Sequence, residues 1–351
     1  VLPQPSGGEA DTMAPTATLT YSKDAGSTTA PTASAKNADT LRIIATFSEA
    51  VTDGSPTIAI DNGVLSVTAM TKSNSTTYFY DLDVPGIDIA TATVTIDGAK
   101  DAANNIISAA PINATFRIDN TAPSAPSNAV VVAAAANGIS AAEKTTGVAV
   151  VINLTGTNAV AGDTVEVLLG GVAFTTPVTY VLQAADISNS SASVTIGSNA
   201  GWGADGSKTL TARVTDVAGN VGTAGGGLAV TLDTAAPTAV VTTVAFSADT
   251  GASSSDFITQ TAAQTLSGTY SGTIAAGETL EISLDNGSNW IAATTAAGGA
   301  WSLTGQTLTA SNTLKARVTD PAGNSSAALS QAYVLSTTAP TVSTVAITSA
   351  T

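Results

Sequence analysis

Asp216-Val-Ala-Gly-Asn220 decides the reading of this chain, because the chain repeats it. The same phrase stands earlier as Asp101-Ala-Ala-Asn-Asn105 and later as Asp320-Pro-Ala-Gly-Asn324. An Ala-Pro dipeptide follows each copy, ending at Pro123, Pro237 and Pro340, which lie 22, 21 and 20 residues after the respective Asp. A fourth Ala-Pro ends at Pro15, so successive prolines are 108, 114 and 103 residues apart. Self-similarity at a nearly fixed period indicates repeated structural units. Units of about 100 residues are large enough to bury a core of their own.

Between these markers the apolar residues alternate at period two. Leu41–Phe47, Tyr78–Val84 and Thr91–Asp97 read as strands in the first unit. Val148–Leu154, Val165–Leu169 and Leu210–Asp216 do so in the second, and Leu280–Leu284 and Leu314–Asp320 in the third. β-Branched residues on alternate positions, bounded by Gly, Asn, Asp and Pro, give half-buried strands. Helix signals are nearly absent. About seven short strands per unit is the pattern of an immunoglobulin-like β-sandwich, although the Cys and Trp hallmarks of antibody domains are missing. The fold class is therefore all-β, with three tandem sandwiches in an extended rod. The boundaries are a leader or linker over 1–13, repeats over 14–121, 122–235 and 236–338, and an orphan strand over 339–351. With strands of about eight residues spanning roughly 26 Å, three such units with loops exceed about 100 Å.

Composition narrows the function. The 351 residues carry 11 Lys and Arg against 26 Asp and Glu, a net charge of −15, with no His and no Cys. Without His or Cys there is no Ser-His-Asp or Cys-His catalysis and none of the usual zinc ligands. A surface poor in cations and rich in carboxylates repels phosphate backbones, so nucleic acid is not a partner. It suits hard cations such as Ca²⁺, which takes carboxylate and carbonyl oxygens. No apolar run is long enough to span a membrane.

The repeated phrase lies between the last two strands of each unit. Its Gly-Asn pair supplies residues that tolerate φ > 0, as a tight turn requires, with Asn104 standing in for Gly in the first copy. The Ala-Pro phrase marks the joints. Pro stiffens a linker only a few residues long, so neighbouring units meet there rather than hanging on a flexible tether. Four residues before each Pro stand Asp11, Asp119, Asp233 and, breaking the pattern, Ser336.

Joints and turns of this form resemble the bacterial immunoglobulin-like repeats of large surface adhesins and biofilm-associated proteins. Three further stretches resemble subtypes of those repeats. They are Asp249–Thr259 with Leu266-Ser-Gly268 and Ala300-Trp-Ser302, Asn137–Glu143 with Ala159–Asp163, and Phe47-Ser-Glu49 with Ala99-Lys-Asp101. The resemblance implies a secreted, non-catalytic stalk at the bacterial cell surface. Its neighbours would be copies of itself or further repeats of a longer chain, and several family members bind Ca²⁺ at their joints. In such a sandwich the last turn faces the preceding unit and the first loop faces the following one. The N-terminal end then offers Asp11, Asp101 and Asn105, and the first joint gathers Asp24, Asp119, Asp216 and Asn220. The second joint gathers Glu143, Asp233, Asp320 and Asn324, and Asp249 and Asp256 lie near the third. Two readings stay open for these residues, as calcium ligands or as turn formers whose carboxylates bond their own backbone.

The alternative function is an array of carbohydrate-binding modules, with Trp202, Trp290 and Trp301 as the large aromatics available to a glycan or surface ligand. Trp301 heads an alternating strand and reads as core, whereas Trp290 follows a loop sequence. The tail after Pro340 reads as the first strand of a further repeat, either truncated from a longer array or donated to a neighbouring subunit, in which case the protein is a self-assembling filament, sheath or matrix rather than an adhesin stalk.

Overall fold

A computed structural model describes residues 10–23, 29–30, 33–52, 54, 56–127, 131–132 and 136–337. The orphan strand over 339–351 and Asp24 lie outside the described residues. Among those described, the buried apolar side chains form three separate clusters, running from Ala17 to Ile118, Val132 to Leu232 and Ala239 to Tyr333.

Around the first cluster run β1 (Ala17–Lys23), β2 (Ser34–Ala35), β3 (Thr40–Phe47), β4 (Thr57–Ile60), β5 (Leu65–Ala69), β6 (Thr71–Lys72), β7 (Thr77–Asp83), β8 (Ile89–Asp97) and β9 (Thr115–Ile118). They form two sheets, β1-β3-β7-β6 and β2-β9-β8-β4-β5. The second cluster is enclosed by β10 (Val131–Val132), β11 (Val148–Asn153), β12 (Thr164–Leu169), β13 (Val172–Val181), β14 (Ser191–Ile196), β15 (Gly206–Thr215) and β16 (Gly225–Leu232). Its sheets are β10-β11-β14 and β13-β12-β15-β16. The third uses β17 (Val240–Phe246), β18 (Ile258–Thr259), β19 (Ala263–Ser271), β20 (Thr279–Ser283), β21 (Ile291–Ala292), β22 (Thr294–Ala296), β23 (Ala300–Thr307), β24 (Asn312–Thr319) and β25 (Leu329–Leu335). These pair as β17-β19-β23-β22 and β18-β25-β24-β20-β21.

Period-two alternation is what fills these cores. In β15 the side chains of Leu210, Ala212 and Val214 are buried, and in β24 those of Leu314, Ala316 and Val318. The residues between them point the other way, where Arg213 pairs with Glu166 at 2.7 Å and Arg317 with Glu281 at 3.0 Å across neighbouring strands. Cross-strand pairs of this kind fix register. A second shared device closes each sandwich. A short segment after the first strand pairs parallel with the last strand: Ser34 with Arg117, Ile258 with Val334, and Ile139 with Leu232 as a single bridge.

The all-β class matches the sequence reading, and each of the eight strands read between Leu41 and Asp320 is present among the described residues. The structure departs from that reading in two respects. The described strands number nine, seven and nine, because two- and three-residue pieces such as β6, β21 and β22 extend sheet edges below the length that alternation reveals. Two six-residue helices, α1 (Ala141–Thr146) and α2 (Ala184–Asn189), interrupt the second unit. Helix α1 is held by its ends: the Ser140 side chain accepts from the Glu143 backbone N–H while the Glu143 carboxylate accepts from the Ser140 backbone. This is a reciprocal cap, written in the sequence as Ser-Ala-Ala-Glu.

Candidate functional site at the repeat joints

The three copies of the repeated phrase adopt one conformation. The Asp backbone N–H bonds the Asn carbonyl four residues on, at 3.2, 3.1 and 3.0 Å for Asp101, Asp216 and Asp320. The position before the Asn has φ of 69° at Asn104 and 97° at Gly219 and Gly323, the left-handed region that Gly and Asn tolerate. Each Asp carboxylate then accepts from the backbone N–H and the side-chain amide of the Asn, at 2.9 and 2.7 Å in the first copy, 2.8 and 2.7 Å in the second, and 2.9 and 2.9 Å in the third. To this extent the Asp residues are turn formers.

The Asn side chain does something more. Its amide also donates outward, to the main-chain carbonyl of the Asp in the preceding joint phrase. Asn105 reaches Asp11 at 3.0 Å, Asn220 reaches Asp119 at 2.7 Å, and Asn324 reaches Asp233 at 2.8 Å. These contacts close across 94, 101 and 91 residues of sequence. At the second joint the Asn324 carbonyl oxygen also accepts from the Ala141 N–H at the start of α1, at 2.8 Å. At the first joint Lys23 adds a bond from its ammonium to the Ala218 carbonyl, 2.8 Å away. Each turn is thus bonded to the end of the preceding sequence unit.

At the N-terminal end, Asp11, Glu49 and Asp101 each bring a carboxylate oxygen to within 4.8 Å of the other two. Burial works against the charge on Asp101, yet the hydrogen bonds from Asn105 and from the backbone of Ala103 and Asn104 outweigh it and hold the carboxyl below its ordinary range. Glu49 is pushed the other way, first by loss of water and then by the negative charges of Asp11 and Asp101. Sequence reasoning placed Asp11, Asp101 and Asn105 together but omitted Glu49 as a ligand; its position, two residues past the end of β3, was the available signal.

The first joint brings together Asp119, Asp216 and Asn220 as expected. It adds Arg117, whose guanidinium is 2.8 Å from the Asp119 carboxylate, and the buried Asp163. Arg117, Asp119, Asp163 and Asp216 line a cleft of about 130 Å³. Burial raises the Asp163 carboxyl, partly opposed by the Val160 and Val217 N–H groups that it accepts from. The second joint brings together Asp233, Asp320 and Asn324. The Glu143 carboxylate is instead turned onto its own helix cap, accepting from both Ser140 N–H and Ser140 Oγ at 2.9 Å. Asp249 and Asp256 lie in the loop before β18, where they accept from the backbone of Phe257 and of Ser253 and Ile258.

Of the aromatics, Trp202 and Trp301 are buried core, 1% and 2% exposed. Trp290 is half-buried, donates to the Gly287 carbonyl at 3.1 Å, and has one ring face covered by the Arg317 guanidinium at 3.9 Å. No helix among the described residues is long and apolar enough to cross a membrane.

Residues 236–337 match the family model of a bacterial Ig-like domain. Among solved structures, the chain is similar to a Ca²⁺-stabilized adhesin that helps an Antarctic bacterium reach out and bind ice, at 23% identity over 92% of this chain and 74% of that one, with a TM-score of 0.32. A 1.5-MDa bacterial ice-binding adhesin aligns at 20% identity over 91% and 98% of the two chains, TM-score 0.30. A tetra-tandem repeat from the extending region of a large adhesion protein aligns at 20% identity over 92% and 75%, TM-score 0.25. None of the curated proteins compared matches the chain. The match to the bacterial Ig-like domain model thus falls on the stretch that holds the third core and strands β17 to β25.

Proposed function

We propose that the chain is a non-catalytic structural segment of a bacterial surface adhesin, three Ig-like units over 14–121, 122–235 and 236–338 that set a binding tip at a distance from the cell. The observation that carries this reading is the Asn side-chain bond found at all three joint phrases, at 3.0, 2.7 and 2.8 Å. A turn that only reverses the chain has no use for an amide that reaches the preceding unit. Three such bonds in register favour fixed angles between units, which a spacer needs and a set of independent binding modules does not.

Calcium enters this proposal at the N-terminal corner. Its donors are hard carboxylate oxygens, and a separation of up to 4.8 Å between them is one that an ion with oxygen ligands at about 2.3–2.6 Å can bridge. Glu49 is raised first by loss of water and then by the negative charges of Asp11 and Asp101, and that second contribution is a repulsion that a bound cation removes. Asp11, Glu49 and Asp101 would hold the ion and fix the segment before Pro15 against the first unit.

The test is electron microscopy of the purified chain with Ca²⁺ and with chelator at matched ionic strength, alongside calcium titration calorimetry on the parent and on Glu49→Gln. Single rods of about 100 Å, with calcium heat lost in Glu49→Gln, are the expected result. Compact particles would overturn the spacer reading. Calcium heat unchanged by Glu49→Gln would overturn the assignment of the ion to this corner.

A further inference from the structure

The N-terminal corner and the first joint differ in what balances their carboxylates. At the corner, no described lysine or arginine is paired with Asp11, Glu49 or Asp101. At the first joint Arg117 lies among the carboxylates. It sits one residue before the end of β9, its guanidinium is 2.8 Å from Asp119 Oδ2, and its side chain is 49% exposed against 8% for Asp119. In the second joint phrase the corresponding residue is Thr231.

The remaining carboxylate oxygens of this joint are also provided for. Asp119 Oδ1 accepts from the Thr121 N–H at 3.1 Å. The two oxygens of Asp163 accept from the Val217 N–H at 3.2 Å and the Val160 N–H at 2.8 Å. Asp216 Oδ1 accepts from the Gly219 and Asn220 N–H groups at 2.7 and 2.8 Å, and Asp216 Oδ2 from the Asn220 amide at 2.7 Å. Every carboxylate oxygen facing the cleft therefore has a donor supplied by the chain, and the positive charge beside Asp163 and Asp119 is covalently attached. A divalent ion entering the cleft would have to displace these donors and would meet the guanidinium at close range.

We infer that Arg117 is a tethered counter-ion that makes the joint between the first and second units independent of metal, with Asn220 as its mechanical latch. Metal sensitivity is then confined to joints without such an arginine. The contrast with the corner rests on the calcium reading above; the claim about Arg117 does not.

The absence of cysteine from the whole chain permits a clean test. Spin labels are placed on the full chain through Ser66→Cys and Thr179→Cys, two exposed positions in β5 of the first unit and β13 of the second. The inter-label distance distribution is recorded with Ca²⁺ and with chelator. The parent is expected to give the same narrow peak in both. Arg117→Gln is expected to lose that peak in chelator. Asn220→Ala is expected to lose it in both buffers, with Trp202 fluorescence reporting that the second unit stays folded. A parent peak that broadens in chelator would overturn the inference, as would an Arg117→Gln peak in chelator that matches the parent. Absence of calcium binding anywhere on the chain would sink the calcium proposal while leaving the Arg117 comparison intact.

Discussion

Replacing Asn324 by alanine separates a turn from a latch. Asn324 is 7% exposed and makes three side-chain hydrogen bonds: to the Asp320 carboxylate at 2.9 Å, to the Asp233 carbonyl at 2.8 Å, and from the Ala141 N–H at 2.8 Å. The first lies within the turn and the other two cross to the preceding unit. A neutral hydrogen bond contributes about 1 kcal/mol net and one to a charged group about 1.5–3 kcal/mol. Asn324→Ala should therefore lose about 3.5–5 kcal/mol, of which about 2 kcal/mol is coupling between the second and third units. The tryptophans make this measurable in urea unfolding of the full chain, since Trp202 reports on the second core and Trp301 on the third. The variant should lower the third unit's transition and also uncouple it from the second. Gly323→Ala serves as the comparison: it strains the turn, whose φ there is 97°, while keeping the amide in place. A loss below about 0.5 kcal/mol for Asn324→Ala, the level of a surface substitution, would refute the latch and leave the phrase as a chain reversal.

Two further outcomes follow from the packing and the charges. Trp202 is 1% exposed, meets Phe174 edge-on at 5.5 Å, and its indole N–H is buried without a hydrogen-bond partner. Trp202→Ala should cost about 3–5 kcal/mol in the second unit, whereas Trp202→Phe, which also removes the unpartnered N–H, should cost clearly less in the same urea titration. Asp285 accepts from Asn289, twice, and from Ser283, which hold its carboxyl at about 2 in the folded chain. A lowered folded value contributes stability that is fully present above the unfolded carboxyl range and is lost as pH falls towards 2. The stability difference between parent and Asp285→Asn should therefore shrink from pH 6 down to pH 2, and a difference that stays flat with pH would contradict this.

Much of the architecture is local information and was legible. Alternation at period two gave Thr40–Phe47, Thr164–Leu169, Gly206–Thr215 and Asn312–Thr319 to within a few residues, because burying one face of a strand needs only its own residues in order. The turn was legible for the same reason: Gly219, Gly323 and Asn104 stand where φ is positive. The helix α1 was written as Ser140-Ala-Ala-Glu143 but drowned among β-forming neighbours, and Glu143, expected at the second joint, accepts from the Ser140 backbone in its cap. The candidate site was legible only in part. The repeated phrase pointed to the joints, and Asp11 with Asp101, Asp119 with Asp216, and Asp233 with Asp320 do come together with their Asn partners.

What the sequence by itself determined is the strands and the turn, since each depends on residues a few positions apart. Only the tertiary structure decided which loops meet: that Glu49 joins Asp11 and Asp101, that the Arg117 guanidinium stands beside Asp119, and that each Asn amide is aimed at a carbonyl some 91–101 residues away. The physical reason is that strand periodicity is a property of the chain taken a few residues at a time. A cluster of charges depends on the loops that two sheets and a short linker carry to the same end of a unit, and on hydrogen bonds whose partners share no sequence neighbourhood.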